Sequence, residues 1–203
     1  MTDCRHVFRH WVQDKTLGVM IRTCTDGGAQ RHIVGIEPTP DLAGICREQG
    51  FEVVESRVED FAATTDRRFD LIVAFEVIEH LFDPGQVVAS LECLLRPGGV
   101  LILTCPNGAG FDVQQLGPDS PCVDHEHLNY FNTRSLPLLL ERHGLATLKC
   151  ITPGKLDAEL VRKGIAAQGR EGQLAPFLHE VLFERWDELG AAFQRFIADA
   201  GMS

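Results

Sequence analysis

The stretch Phe69-Asp-Leu-Ile-Val-Ala-Phe-Glu-Val-Ile-Glu-His80 decides how the rest of the chain is read. Its first seven residues are almost wholly apolar, as a strand buried on both faces must be, and burial on both faces belongs to parallel sheets covered by helices. Asp83-Pro84 then opens a helix to about Leu95, with Val87, Val88, Leu91, Leu94 and Leu95 on helical spacing. Pro97-Gly98-Gly99 turns the chain into Val100-Leu-Ile-Leu-Thr104, a second buried strand. Working backwards, Phe51 to Glu55 is strand-like. Asp41 to Gln49 is a helix between Pro40 and Gly50, and His32 to Glu37 is a short β-branched run ending in an acid. Strands that alternate with helices predict an α/β fold: a Rossmann-like, mostly parallel sheet with helices on both faces.

The flanks are less regular. Val7 to Val12 reads as a strand and Leu17 to Thr25 as a helix, with Asp26-Gly-Gly28 ending it. Pro106 to Asn132 is rich in Gly, Pro, Asp and Asn and reads as a long loop with a short helix, a length that usually carries function. Thr133 caps a helix through His143, Gly144 ends it, and Leu145 to Ile151 is a late strand. Helices follow from Leu156. We therefore expect a Rossmann-like domain over residues 1–151 and a C-terminal helical segment, 152–203, packed on the same domain.

Composition narrows the function. The chain has 203 residues, 44% of them hydrophobic and 24% charged, which excludes a disordered protein. No apolar run approaches the about 18 residues that span a bilayer, and the start lacks a signal-peptide core. With 19 basic against 29 acidic residues the net charge is -10, and no local basic stripe offsets it, so nucleic acid is not expected as a partner. Seven widely spaced cysteines, with no C-x-x-C, read as reduced thiols of a cytoplasmic protein.

Several residues stand where chemistry is done in such folds. Ligands bind at the carboxyl ends of the strands. Glu37 ends the second strand there and can accept hydrogen bonds from both hydroxyls of a ribose, although a solvated strand-end acid looks the same. Glu59-Asp60-Phe61 follows the third strand; an acid beside an aromatic suits an adenine, and a loop acid beside a core Phe is the plainer reading. His125 and His127 lie in Asp124-His-Glu-His127. This H-x-H lacks a third ligand at metal spacing, so no metal is expected.

Phe69 to His80, followed by Leu81-Phe-Asp-Pro84, Leu95-Arg-Pro-Gly-Gly99 and Pro106-Asn107, resembles class I S-adenosylmethionine-dependent methyltransferases. Gly35-Ile-Glu-Pro38 fits their ribose-binding acid. Gln114, His127-Leu-Asn-Tyr-Phe131 and Leu136 to Gly144 resemble the subgroup with a P-N…E-H-x-x-Y-F stretch. The resemblance covers about Val7 to Ile151. It implies S-adenosylmethionine as cofactor and a small-molecule acceptor. The amphipathic stretch from Leu174 to Ala200 suits either covering the sheet or pairing with another subunit, so monomer and homodimer both stay open, and composition gives no membrane or nucleic-acid partner. It implies that Glu37 and Pro38 meet the ribose, Asp60 and Phe61 the adenine, and Phe75 and Glu76 the methionine part, with His80 near the transfer site. Where an acceptor proton must leave, histidine is the residue that titrates near neutral pH, which makes His80, His125 and His127 the candidates, with His80 and His127 the catalytic pair expected.

One block departs from that family. Its first strand ends in D-x-G-x-G-x-G, which by position falls at Gln13-Asp-Lys-Thr-Leu-Gly18. Asp14 and Gly18 remain as candidate cofactor contacts, but Lys15, Thr16 and Leu17 carry side chains where glycines leave the backbone bare. A second class of reading follows: a non-catalytic relative that has lost the donor and serves as a binding or regulatory partner. A nicotinamide-dependent oxidoreductase would also use Glu37, but it requires G-x-G-x-x-G before the first crossover helix, and that is absent.

Overall fold

A computed structural model of the chain describes residues 19–24 and 31–203. The chain divides into two compact units, residues 1–105 and 106–203. The described part of the first holds strands β1 (Val19–Cys24), β2 (Arg31–Ile36), β3 (Glu52–Val54), β4 (Phe69–Phe75) and β5 (Leu95–Thr104). Helices α1 (Pro40–Glu48), α2 (Val58–Thr64) and α3 (Pro84–Leu94) connect them. The sheet order is β3-β2-β1-β4-β5.

β2 pairs with β3 in parallel, and β4 with β5 in parallel, while β1 runs antiparallel to both of its neighbours. Four of the five described strands therefore share one direction, which is the expected α/β, mostly parallel arrangement. The reversed strand corrects the reading of Leu17 to Thr25 as a helix. Only residues 25–30 separate β1 from β2. That is too short for the crossover a parallel pair needs, so adjacent strands here must run antiparallel. Two ladders, one on each edge, outweigh a helix-like spacing of apolar residues over so short a run. Val7 to Val12, Asp14 and Gly18 lie outside the described residues.

Period-two alternation sorts the sheet's side chains. Val34, Ile36, Ile72 and Ala74 face one side, where they pack with Val58 and Phe61 of α2 and Val87, Leu91 and Leu94 of α3. Val73 faces the other side with Ile33, Leu71, Phe75 and Phe51. α3 starts as its sequence dictates: Pro84 occupies the first turn, and Asp83 Oδ1 accepts the Gln86 N–H at 2.9 Å. Pro97-Gly98-Gly99 is not a turn ahead of β5 but an irregularity inside it, because Phe69 pairs with Leu95 and Leu71 with Val100. A Cβ at Gly99 would stand 2.9 Å from the Arg96 carbonyl oxygen and 3.1 Å from that of Phe69, so a side chain here would force the backbone to shift.

The second unit is helical: α4 (Phe111–Leu116), α5 (Ser135–Arg142), α6 (Asp157–Ala167), α7 (Pro176–His179), which runs on into a π-helical turn over Glu180–Glu184, and α8 (Trp186–Asp199). Phe111, Leu116, Ala158, Val161, Ile165, Leu182 and Ile197 form its core. Two local expectations are corrected. α5 is capped by Asn132 rather than Thr133: Asn132 Oδ1 accepts the N–H groups of Arg134 and Ser135, each at 2.9 Å. Leu145 to Ile151 is not a strand. Among the described residues it finds no ladder partner, and Leu148 is 84% exposed; an extended run with β-forming residues becomes a strand only when another strand satisfies its backbone.

Candidate functional site

The register of β1 fixes what faces what at the carboxyl tips. Val19 pairs with Ile36 on one side and with Ala74 on the other, so Glu37 and Phe75 stand level, two strand spacings apart. At the usual inter-strand distance that is about 10 Å. β3 and β5 extend the row, with Ile36 opposite Val54 and Phe75 opposite Thr104.

Glu37 is buried at this tip, 1% exposed. Its Oε1 accepts the Thr39 N–H at 2.8 Å, and its backbone N–H reaches the Val54 carbonyl at 3.1 Å. Its Oε2 is buried and has no hydrogen-bond partner among the described residues. Burying a carboxylate oxygen without a partner costs free energy, so such an atom suits a donor supplied from outside the chain, such as a hydroxyl. Pro38 follows it, exposed.

Glu76, the first residue past β4, adopts φ +52°, the one non-glycine residue with positive φ among the described residues. Strained backbone of this kind costs on the order of 1–3 kcal/mol and collects at functional sites. Two bonds from the tip of β5 hold it. Glu76 N–H donates to the Thr104 carbonyl at 3.0 Å, and the Thr104 hydroxyl donates to Glu76 Oε1 at 2.7 Å. Thr104 was not singled out in the sequence; its position at a strand's carboxyl end was the available signal. The short helical turn Ile78–His80 follows. Glu79 is buried there, 1% exposed, and its Oε1 lies 3.9 Å from His80 Nε2, close enough to attract a protonated ring.

Asp60 and Phe61 both lie on α2, but they part company. Asp60 is exposed, whereas Phe61 is buried in the core, its ring 6.3 Å from that of Phe69. The structure thus brings Glu37, Phe75, Glu76 and His80 to the strand tips and their following turn, and places Phe61 beneath the surface.

His127 belongs to the second unit, half-buried in the loop after α4. Its Nδ1 lies 2.8 Å from the Cys122 carbonyl, and its backbone N–H donates to Asp124 at 3.2 Å. His125 is exposed on the same loop. Burial, followed by the neighbouring Asp112 carboxylate, pushes the Cys122 thiol up to about 12. At pH 8 a thiol of that pKa is about one part in ten thousand thiolate, whereas an ordinary one is about a quarter ionised, and only the thiolate is alkylated. Iodoacetamide at pH 8 is therefore expected to modify Cys122 roughly a thousandfold more slowly on the folded protein than on the urea-unfolded chain. Peptide mass mapping reads this out, and equal rates would show that the thiol is not held neutral.

Residues 17–149 match the family described as a methyltransferase domain. The ubiquinone biosynthesis O-methyltransferase of Aeromonas salmonicida (strain A449) is 29% identical over 164 residues, which cover 66% of this chain and 67% of that protein. The C-methyltransferase NovU of Streptomyces niveus is 29% identical over 118 residues, 56% of this chain and 27% of its own length. Among solved structures, a SAM-dependent methyltransferase from Archaeoglobus fulgidus overlays with a TM-score of 0.47 at 18% identity, covering 68% of this chain and 67% of that one.

Proposed function

The chain belongs to the methyltransferase domain family, and from that membership we propose that it transfers a methyl group from S-adenosylmethionine to a small-molecule acceptor. S-adenosylmethionine is the methyl donor. The observation that carries the reading is the buried Glu37 at the tip of β2, with one oxygen satisfied by Thr39 and the other awaiting a donor. A ribose diol supplies two such donors. Across the tip, Phe75 and the strained Glu76 would line the methionine part, Pro38 would meet the ribose beside Glu37, and Asp60 would meet the adenine from the start of α2, with Phe61 behind it in the core. Asp14 and Gly18 would complete the donor pocket. Methyl transfer is a displacement at a sulfonium carbon, so the residues have to align donor and acceptor and exclude water more than they have to react. His80 and His127 are the proton acceptors for an acceptor hydroxyl or amine. The free thiols of Cys46, Cys93, Cys105, Cys122 and Cys150 support a reducing, cytoplasmic setting. Among the described residues no helix is long and apolar enough to cross a membrane.

The rival reading is a non-catalytic relative, favoured by Lys15, Thr16 and Leu17 where the family carries glycines. Thermal unfolding with S-adenosylhomocysteine separates the two. Ligand at 100 times its dissociation constant adds about 2.7 kcal/mol to the folded state, a clear rise in melting temperature. No rise at millimolar ligand would leave the non-catalytic reading standing. His80→Ala is expected to slow transfer more than it weakens donor binding; equal losses in both would make His80 a structural residue.

A further inference from the structure

The loop that presents His127 is organised around a buried acid that methyl transfer does not itself require. Asp112, on α4, is 5% exposed, and Ser120 is 2% exposed. The Ser120 hydroxyl donates to Asp112 Oδ2 at 2.6 Å, and Ser120 Oγ in turn accepts the Cys122 N–H at 3.1 Å. Gly110 makes room for this arrangement: a Cβ there would stand 2.5 Å from Asp112 Oδ1. The chain of contacts ends at the Cys122 carbonyl, against which His127 Nδ1 sits at 2.8 Å. A carbonyl oxygen only accepts, so in the neutral ring the proton is on Nδ1 and the basic lone pair is on Nε2. In water the opposite tautomer is the more stable, so the loop imposes this one.

We propose that Asp112 is a positioning residue that, through Ser120 and Cys122, holds the His127 ring in its Nδ1–H tautomer and so makes Nε2 the basic nitrogen. The carboxylate anchors the Ser120 hydroxyl, the hydroxyl oxygen anchors the Cys122 amide, and the Cys122 peptide unit aims its carbonyl at the ring. An anionic hub is suited to the task because a hydrogen bond to a charged acceptor is shorter and stronger than one between neutral groups. The inference rests on the reading of His127 as a proton acceptor only for its catalytic consequence, because the tautomer itself is observable without any acceptor substrate.

The test is a long-range ¹H–¹⁵N correlation spectrum of the histidine rings in the full chain, with His127 assigned by its loss in His127→Gln. At a pH where the ring is neutral, the wild-type protein is expected to show His127 protonated on Nδ1. Ser120→Ala, which removes both bonds of the relay, is expected to move most of the population to the Nε2–H form with the circular dichroism unchanged. Asp112→Asn keeps an oxygen that accepts from Ser120 and is expected to retain the wild-type tautomer in larger part, while Asp112→Ala behaves as Ser120→Ala does. A wild-type ring protonated on Nε2, or a tautomer that Ser120→Ala leaves in place, overturns the proposal. S-adenosylhomocysteine binding, measured on the same samples by melting temperature, judges the methyltransferase reading separately: its absence would sink that reading while the ring spectrum still decides this one.

Discussion

Glu37→Ala is expected to abolish S-adenosylhomocysteine binding while leaving the protein folded. Hydrogen bonds to an ionised group contribute about 1.5–3 kcal/mol each. Losing two ribose contacts therefore weakens binding by about 3–6 kcal/mol, two or more orders of magnitude in dissociation constant. The fold should tolerate the change, because the variant loses one hydrogen bond, from the Thr39 N–H, and at the same time removes a buried carboxylate oxygen that lacks a partner among the described residues. Glu37→Gln keeps an acceptor for the Thr39 N–H and the shape of the side chain, and should bind with intermediate affinity. Titration calorimetry checks both variants, with circular dichroism as the control for folding. An unchanged affinity in the alanine variant would show that the ribose is held elsewhere.

Phe69→Ala is the substitution that should cost most in stability. Phe69 is fully buried where β4 meets the helices of the first unit, with Phe61 beside it and the Arg67 guanidinium 5.6 Å from its ring centre. Truncating a core phenylalanine costs about 3–5 kcal/mol, made up of lost transfer energy and the cavity left behind. For a chain of this size each kcal/mol lowers the melting temperature by about 2–4 °C, so a fall of more than about 6 °C is expected by calorimetry. Phe69→Leu, which keeps most of the volume, should fall by less than half as much. A drop of under about 2 °C for the alanine variant would mean that this core does not limit stability.

How legible these features were depends on whether each is written locally. β4 was legible because burial on both faces leaves a continuous apolar run, and α3 because Asp83-Pro84 is its own start signal. Glu37 was legible only as an acid ending a β-branched run, which a solvated strand-end acid matches equally well; its burial and its orphan oxygen were not legible. β1 was not legible: six mixed residues fit a helix face as well as a strand, and only the two ladders decide between them. The Leu145 to Ile151 run failed in the opposite sense, being strand-like in composition but without a neighbour. Thr104 and Asp112 were missed for a third reason. Thr104 holds a residue 28 positions earlier, and Asp112 gains its meaning from burial with Ser120; neither relation leaves a mark in a linear pattern.

The reversed central strand has a geometric consequence. Among the described residues no ladder joins β2 to β4 directly; six residues of β1 act as the gauge block between the two parallel pairs. A slip of two residues on one side preserves which side chains face the core, so burial alone resists it weakly, yet it would slide Glu37 past Phe75 by about 7 Å. The alignment of the two walls thus hangs on one short insert.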